Sequence, residues 1–97
     1  MTSKQRAYLR SLASKLEPIF QVGKNGVTPE VVNSVDEALE ARELIKGTVL
    51  NNCLEDINDI CSTIGERTHS EVVQIIGKKI VFFRPSKKKP VIELDKI

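Results

Sequence analysis

The chain has 97 residues, of which 40% are apolar and only four are aromatic, and its formal net charge is +2. This length suits one domain with a single core. The first residues are polar and basic where a secretory signal would be apolar, and no apolar run approaches the ~20 residues of a membrane helix. We therefore expect a cytosolic domain without a membrane contact, in which Cys53 and Cys61 are free thiols.

The small net charge hides a segregation of charge along the chain. Residues 1–24 carry a net charge of +4, residues 25–77 carry −7, and residues 78–97 carry +5. If the fold brings the two ends together, this pattern predicts one cationic and one anionic surface. A basic tail beside a solvated acidic face is the alternative interpretation.

A first helix is predicted from an N-cap at Thr2 or Ser3 to about Lys15, because its leucines recur at helical spacing. Its apolar stripe consists of Leu9, Leu12, Ala13 and Leu16. Pro18 ends this helix, and residues 18–22 read as a short first strand.

A second helix is predicted to begin with Thr28 as N-cap and Pro29 at the first helical position. Its apolar stripe consists of Val31, Val32, Val35, Ala38 and Leu39, while Asp36, Glu37 and Glu40 face water. Residues 44–50 then read as a second strand around Gly47.

A third helix is predicted to follow a cap at Asn51 or Asn52, with Gly65 ending or interrupting its last turn. Its apolar stripe consists of Leu54, Ile57, Ile60, Cys61 and Ile64. Residues 71–76 and 79–84 read as two strands joined by a type II′ turn at Gly77-Lys78. We expect the lysine-rich segment after them, at about residues 85–97, to be a basic tail that is extended or loosely held.

The predicted order is α-β-α-β-α-β-β, which makes the fold class α/β (α+β) in a single domain. The last two strands carry apolar residues at consecutive positions, so both faces of their sheet should be covered. We therefore expect a four-stranded mixed sheet with helices on both faces.

Few residues here are suited to catalysis. His69 is the only histidine, and its spacing from Cys53 and Cys61 lacks the close ligand pairs of a zinc site. Cys61 falls on an apolar stripe and is interpreted as a core residue, His69 as an exposed residue of a connector, and the acids of the second helix as solubilising charge. We therefore expect no enzyme, no metal and no cofactor.

The stretch from Val22 to Glu30, VGKNGVTPE, joins the first strand to the second helix and holds two glycines three residues apart. A lone G-x-x-G also occurs as a simple turn that needs positive φ, so the signal is weak. Glycines nevertheless let a backbone approach a phosphate, consecutive amides form an anion-binding concavity, and the KH module clamps nucleotide backbone with such a loop. Both interpretations, a turn and a phosphate-binding loop, stay open at this point.

The start of the second helix is a poor anion site. Pro29 removes one donor, the Thr28 side chain occupies another, and Glu30 adds negative charge to the first turn. If phosphate binds here, we expect the amides of Lys24 to Gly26 and the Lys24 ammonium group to hold it.

Four motifs occur in order along the chain: K-Q-x-x-x-L-R-x-L-A at 4–13, G-K-N-G-V-T at 23–28, E-L-I-K at 43–46 and I-G-x-x-I-V-x-x-R-P at 76–85. With these motifs the chain resembles, over about residues 3–89, the CRM domain, and specifically the stand-alone bacterial YhbY-like proteins. The resemblance implies an RNA-binding fold similar to the C-terminal domain of bacterial translation initiation factor three. Bacterial members of this family resemble assembly factors of the large ribosomal subunit, and plant relatives act in organelle intron splicing.

The resemblance thus implies a non-catalytic RNA-binding protein whose RNA is 23S ribosomal RNA or its precursor in the pre-50S particle. We expect the protein to be a monomer. The family's RNA-contacting loop corresponds to Gly23, Lys24, Asn25 and Gly26. The surrounding cationic surface is expected to consist of Lys4, Arg6, Arg10, Lys15, Lys78, Lys79, Arg84, Lys87, Lys88 and Lys89.

Three of the four aromatic residues fall in apolar strands, which leaves only Tyr8 to stack on a base. Recognition should therefore depend on phosphates and shape, and affinity should fall steeply with salt. The alternative function is a protein-interaction adaptor whose acidic helices dock a basic ribosomal or assembly protein.

Overall fold

The computed structural model describes every residue from Met1 to Ile97. Three helices and four strands follow one another in the predicted order, which confirms the fold class. The helices are α1 (Ser3–Ala13), α2 (Pro29–Arg42) and α3 (Ile57–Thr68), the strands are β1 (Phe20–Val22), β2 (Leu44–Val49), β3 (Glu71–Ile76) and β4 (Lys79–Phe83), and a 3-10 turn spans Leu94–Lys96.

The four strands form one mixed sheet in the order β1-β2-β4-β3. β1 and β2 are parallel, and β4 is antiparallel to both of its neighbours. The loops after β1 and β2 therefore leave the sheet at the same end of the strands as the β3–β4 hairpin, and we call this end the loop end. The opposite end of the strands, where β2 begins and β4 ends, is the tail end. The six residues of β2 separate the two ends by about 17 Å.

Each face of the sheet carries its own apolar cluster. α2 and α3 pack on one face, and the larger cluster there includes Val35, Leu39, Ile60, Ile64 and Phe82. α1 packs on the other face, where Leu9 and Ala13 contact a smaller cluster from three strands: Leu44, Val73, Val81 and Phe83. The prediction of helices on both faces is confirmed.

The cover on the α1 face is incomplete, which corrects the expectation that both faces would be covered. α1 has only 11 residues, so it spans about 17 Å. It lies across the tail end of the sheet, against Leu44 at the start of β2 and Phe83 at the end of β4. The part of this face nearer the loop end has no helix over it.

Local capping signals explain where two of the helices begin. Thr2 caps α1 in a capping box with Gln5, and Thr28 caps α2 by accepting a hydrogen bond from the Val31 amide at 3.2 Å, with Pro29 next to it. The start of α2 is as predicted. α1 ends at Ala13 rather than near Lys15, β1 begins at Phe20 rather than residue 18, and β4 ends at Phe83 rather than residue 84.

The predicted start of α3 is wrong. Asp56, and not Asn51 or Asn52, is its N-cap, and its carboxylate accepts hydrogen bonds from the amides of Asn58 and Asp59 at 2.8 and 3.3 Å. Leu54 consequently lies before the helix, with 96% of its surface exposed, instead of on the apolar stripe. Gly65 does not end the helix, which continues to Thr68 and stops at His69 in the left-handed region, φ 55°.

The tail is anchored to the body of the domain, contrary to the expectation that it would be loosely held. The buried carboxylate of Glu43 accepts hydrogen bonds from the amides of Ser86, Val91 and Ile92, each at 2.7 Å. Glu40 accepts from the Ser86 hydroxyl at 2.8 Å and from the Lys87 amide at 3.1 Å. Two carboxylates of one helix end thus fix the course of the tail.

The same contacts shift the acidity of both glutamates. Burial alone would raise the pKa of Glu43, but the amide hydrogen bonds from Ser86, Ile92 and Val91 outweigh it and hold the pKa below 4.5. The Ser86 hydroxyl, followed by the Lys87 amide, lowers the pKa of Glu40 below the same value. Both carboxylates are therefore ionised at neutral pH.

Candidate nucleic-acid interface

The loop after β1 is a tight turn closed by its two glycines. The Gly26 amide donates a hydrogen bond to the Gly23 carbonyl oxygen at 3.0 Å, and Gly26 has φ +68°, a region that side chains disfavour. Lys24 and Asn25 form the exposed tip. We call residues 23–26 the GKNG turn.

The turn leaves two amides unpaired, one fewer than expected. Because Gly26 uses its N–H inside the turn, the expectation that it would bind phosphate through that group is wrong. The amides of Lys24 and Asn25 donate no hydrogen bond within the protein. Two neighbouring donors and the Lys24 ammonium group are thus available at one exposed point, which is the chemistry of an anion-binding concavity.

The adjacent helix terminus does not add to this site. The Thr28 hydroxyl occupies the Val31 amide, Pro29 has no N–H, and Glu30 lies in the first turn of α2. A phosphate group would therefore find its donors in the turn itself.

The β3–β4 hairpin brings two of the predicted cations to the same end of the sheet. Gly77 has φ +55° at the first position of its turn, as a type II′ hairpin requires. The Lys78 carbonyl oxygen accepts a hydrogen bond from the Val49 amide at 2.8 Å, and the Lys79 ammonium group donates to the Thr48 hydroxyl at 3.0 Å. Lys78 and Lys79 are exposed and form no ion pair.

Acidic residues border the GKNG turn on its α3 side. A Cβ atom on Gly26 would lie 2.6 Å from the Glu55 carboxyl carbon, so this carboxyl group packs directly against the glycine. Glu55, Asp56 and Asp59 line one cleft with Val27, and Arg67, in the last turn of α3, lines the same cleft. The turn therefore lies at a boundary between the cations of the loop end and the acids of α3.

The predicted cations of α1 separate into two groups. Lys4, Arg10 and Lys15 are exposed, and Lys4 and Lys15 share the outer face with Tyr8, which is 39% exposed. Arg6 is half-buried and donates from Nη1 to the Val72 and Val73 carbonyl oxygens at 2.7 and 3.1 Å. Its guanidinium group therefore connects α1 to edge strand β3, which is a structural task.

Arg84 is also committed within the protein. Its side chain is only 11% exposed, and Nη1 lies 2.6 Å from the Asp36 carboxylate. The guanidinium group also donates to the carbonyl oxygens of Thr68 and Asp36 at 2.8 and 3.0 Å. Arg84 ties the end of β4 to α2 and α3, so it is not a free cation of the surface.

The tail lysines lie at the tail end of the sheet, away from the GKNG turn. The amides of Lys87 and Lys88 donate to Glu40, whereas the side chains of all three lysines are exposed and form no ion pair. The structure thus places Lys78 and Lys79 at the same end of the sheet as the GKNG turn, and Lys87, Lys88 and Lys89 at the opposite end.

The uncovered part of the sheet carries polar residues that, except for Lys79, the sequence analysis did not single out. Two rows of paired residues cross the sheet there: Gln21, Thr48, Lys79 and Ile76 nearest the loop end, then Lys46, Val81 and Gln74. Val81 belongs to the α1-side cluster, and directly paired residues share a face. We define the open face as Gln21, Lys46, Thr48, Gln74, Ile76 and Lys79. The alternation of Lys46 and Thr48 in β2 was the signal for it.

The groups suited to nucleophilic or metal chemistry lie apart. Burial raises the pKa of the Cys61 thiol to about 11, so this thiol is protonated at neutral pH. His69 is an exposed C-cap residue. No three or more His, Cys, Asp or Glu residues come together in a way that could hold a metal ion. None of the helices has both the length and the apolar character needed to cross a membrane.

Three comparisons with known proteins agree with this geometry. Residues 1–84 match the CRS1 / YhbY (CRM) domain. The chain is 50% identical over 94 residues to the Probable RNA-binding protein YqeI of Bacillus subtilis, covering 97% of this chain and 98% of that protein. It is 36% identical over 86 residues to an RNA-binding protein of Haemophilus influenzae, covering 89% and 87% of the two chains.

The fold is also that of a solved structure. The solution structure of the hypothetical protein SAV1595 from Staphylococcus aureus is similar with a TM-score of 0.80 and 47% identity, over 96% of this chain and 97% of that one. The family match covers all three helices and all four strands. The chain therefore belongs to the CRS1/YhbY (CRM) domain family.

Proposed function

We propose that this chain binds RNA, without catalysing a reaction on it, and that the GKNG turn holds the phosphate backbone. The observation that carries the proposal is the pair of unpaired amides at Lys24 and Asn25, beside the Lys24 ammonium group. The exposed lysines Lys78 and Lys79 lie at the same end of the sheet. The names of the relatives as RNA-binding proteins support the choice of RNA as the anion.

The RNA we propose is structured ribosomal RNA of the large subunit, bound during assembly of that subunit. The resemblance to bacterial assembly factors supports this choice. The aromatic residues support it as well, because Phe20, Phe82 and Phe83 are buried in the two clusters and leave no stacking platform on the sheet. Without such a platform, recognition depends on phosphates and on the shape of a folded RNA.

The other predicted cations take different parts in the proposal. The exposed side chains of Lys4, Arg10 and Lys15 on α1, and of Lys87, Lys88 and Lys89 on the tail, are proposed as flanking contacts. Arg6 and Arg84 are proposed to act by holding the fold, since their guanidinium groups are already hydrogen-bonded within the protein.

The test of the proposal is a double substitution at the tip of the turn, Lys24→Asp with Asn25→Asp. We expect it to weaken binding of a large-subunit ribosomal RNA transcript at least tenfold, about 1.4 kcal/mol, because it replaces the cation and places two carboxylates beside the free amides. Both glycines remain, so the turn should persist. Fluorescence anisotropy over a range of salt concentrations measures the affinity, and circular dichroism checks the fold.

The matched control is Asn33→Asp with Arg67→Asp, which makes the same change in charge at exposed positions of α2 and α3. We expect its affinity to stay within about twofold of the unsubstituted protein, since Arg67 lies in the last turn of α3, at the opposite end of that helix from the acids beside the GKNG turn. Equal weakening by the two double variants would mean that only overall charge matters. A native turn variant with unchanged affinity would mean that the loop is merely a turn.

The ribosomal part of the proposal needs a separate measurement. We expect the protein to sediment with precursors of the large subunit in a sucrose gradient of cell extract, and the turn variant to shift toward the top. RNA binding without such co-sedimentation would contradict the assembly role while leaving RNA binding intact.

The adaptor alternative rests on the acids of α2 and α3. Part of that surface is already occupied, because Asp36 pairs with Arg84 and Glu40 holds the tail. Affinity purification before and after RNase treatment separates the two functions. Protein partners that persist after RNase digestion would favour the adaptor.

A further inference from the structure

The open face is a polar sheet surface that the fold leaves without cover. Its residues pair across all four strands: Gln21 with Thr48, Thr48 with Lys79, Lys79 with Ile76, and Lys46 and Gln74 each with Val81. α1 covers the rows at the tail end and reaches Val81 in the second row, but none of the open-face residues belongs to its cluster. Antiparallel strands often leave one polar face in water, so the charge of this face, rather than its exposure, has to indicate a function.

The charge of the open face matches RNA. It contains two lysines, two side-chain amides and a hydroxyl, and it contains no acid. Lys79 is oriented by its hydrogen bond to the Thr48 hydroxyl at 3.0 Å. Lys46 forms no ion pair, although it shares a cleft with Glu17. Its ammonium group is thus a free cation in the middle of the sheet.

The surroundings restrict where an RNA backbone can run from the GKNG turn. On the α3 side, Glu55 packs against Gly26 and is followed by Asp56 and Asp59. These carboxylates would repel phosphate. On the other side, Gln21 and Thr48 directly adjoin the end of β1, where the turn begins. The path without repulsion leads across the open face.

The flank of α1 continues this path. Gln5 lies on the flank of α1 that faces the tail, where its amide donates to the Leu94 carbonyl oxygen at 2.9 Å. Arg6 and Arg10 lie four residues apart on the opposite flank, beyond the buried Leu9. The exposed Arg10 side chain therefore stands at the margin of α1 that borders the open face.

We propose that the open face is a second RNA-contact surface, continuous with the GKNG turn, on which Lys46 and Lys79 hold the ribose-phosphate backbone. This inference rests on the proposed RNA-binding function. Since no aromatic side chain is exposed on this face, the contacts are with phosphates and sugars rather than stacked bases. Gln21, Thr48 and Gln74 supply donors and acceptors suited to ribose hydroxyl groups.

The test compares Lys46→Gln with Arg67→Gln, which removes the same charge from an exposed position of α3. The probe is the large-subunit ribosomal RNA transcript used for the turn variant. We expect Lys46→Gln to weaken binding at least threefold and to reduce the salt slope by roughly 0.7–0.9 log units per log unit of salt, the share of one phosphate contact. Arg67→Gln should change neither quantity, and Lys46→Arg should restore both.

A measurement on the unsubstituted protein avoids any question of folding. In NMR titration with the same RNA, we expect the side-chain amide signals of Gln21 and Gln74 to shift, and those of Asn33 and Asn58 on α2 and α3 to stay in place. Unshifted Gln21 and Gln74 signals, or equal effects of Lys46→Gln and Arg67→Gln, would overturn the inference. If the turn variant still loses affinity in that case, the proposed function stands; if the unsubstituted protein does not bind RNA, both are wrong.

Discussion

The two ends of the sheet carry similar numbers of cations but use them differently. At the loop end, Lys24, Lys78 and Lys79 are exposed and unpaired. At the tail end, Arg84 forms an ion pair with Asp36, and the Lys87 amide donates a hydrogen bond to Glu40. Whether a basic residue is free at the surface or committed to the fold therefore depends on the acids that the fold brings to it. The following predictions test that division of tasks, beginning with the largest effect.

The largest effect is expected at Glu43, which holds the tail. Glu43→Ala removes a buried acceptor of three amide hydrogen bonds and should lower the free energy of unfolding by about 3 kcal/mol. Urea denaturation measures this loss. Glu37→Ala, at an exposed position of the same helix, is the control and should leave stability within about 0.5 kcal/mol. RNA affinity of the folded Glu43 variant should stay near its original value. A tenfold loss of affinity would mean that the tail end also contributes to RNA binding.

The next largest effect is expected at Arg84. Arg84→Met keeps much of the side-chain volume but leaves the Asp36 carboxylate and the Thr68 carbonyl oxygen without their donor, which should lower stability by about 2 kcal/mol. RNA affinity of the folded variant should change less than twofold. Lys24→Met, with its exposed side chain, should show the reverse pattern. If the Arg84 variant keeps its full stability but binds RNA more weakly, Arg84 contacts RNA rather than stabilising the fold.

A smaller effect should follow from acid. The pKa values of Glu40 and Glu43 lie below 4.5 in the folded protein, so the unfolded chain binds these protons more tightly. The stability that the two carboxylates provide is complete above about pH 4.5 and is lost as the pH falls through their lower folded values. Urea midpoints between neutral pH and pH ~3 should fall less steeply in Glu43→Gln than in Glu37→Gln. Parallel pH profiles would show that the tail contact does not depend on ionisation.

The smallest effect is expected from the tail lysines. Replacing Lys87, Lys88 and Lys89 together by glutamine should weaken RNA binding less than about threefold, because a flanking contact contributes mainly screened, long-range attraction. Replacing Lys24, Lys78 and Lys79 in the same way removes an equal charge and should weaken binding at least tenfold, or about 1.4 kcal/mol. If replacing Lys87, Lys88 and Lys89 has the larger effect, the main RNA contact lies at the tail end.

Features encoded by neighbouring residues could be predicted from the sequence. The start of α2 is fixed by Thr28 and Pro29, which are adjacent in the chain, and the structure confirms it. The start of α3 was predicted at Asn51 or Asn52 and lies instead at Asp56, because Cys53 is buried and Leu54 is exposed before the helix begins. This position depends on tertiary contacts that a local pattern does not contain.

The candidate site was likewise predictable only where it consists of residues that are neighbours in the chain. The GKNG turn and the β3–β4 hairpin are local motifs, so their residues could be identified along the chain. Arg84 was misinterpreted because its partner Asp36 lies 48 residues away. The open face was missed because its existence depends on where α1 crosses the sheet, which apolar periodicity alone does not specify.

The anchored tail also bears on where this domain ends. The family match stops at residue 84. The amides that donate hydrogen bonds to the buried Glu43 carboxylate nevertheless come from Ser86, Val91 and Ile92. Ile92 and Leu94 also cover the apolar cluster beneath α1. A fragment cut after Arg84 would keep every strand and helix that defines the family and still contain a buried charge without donors. The unit that folds is therefore longer than the stretch that the family match covers.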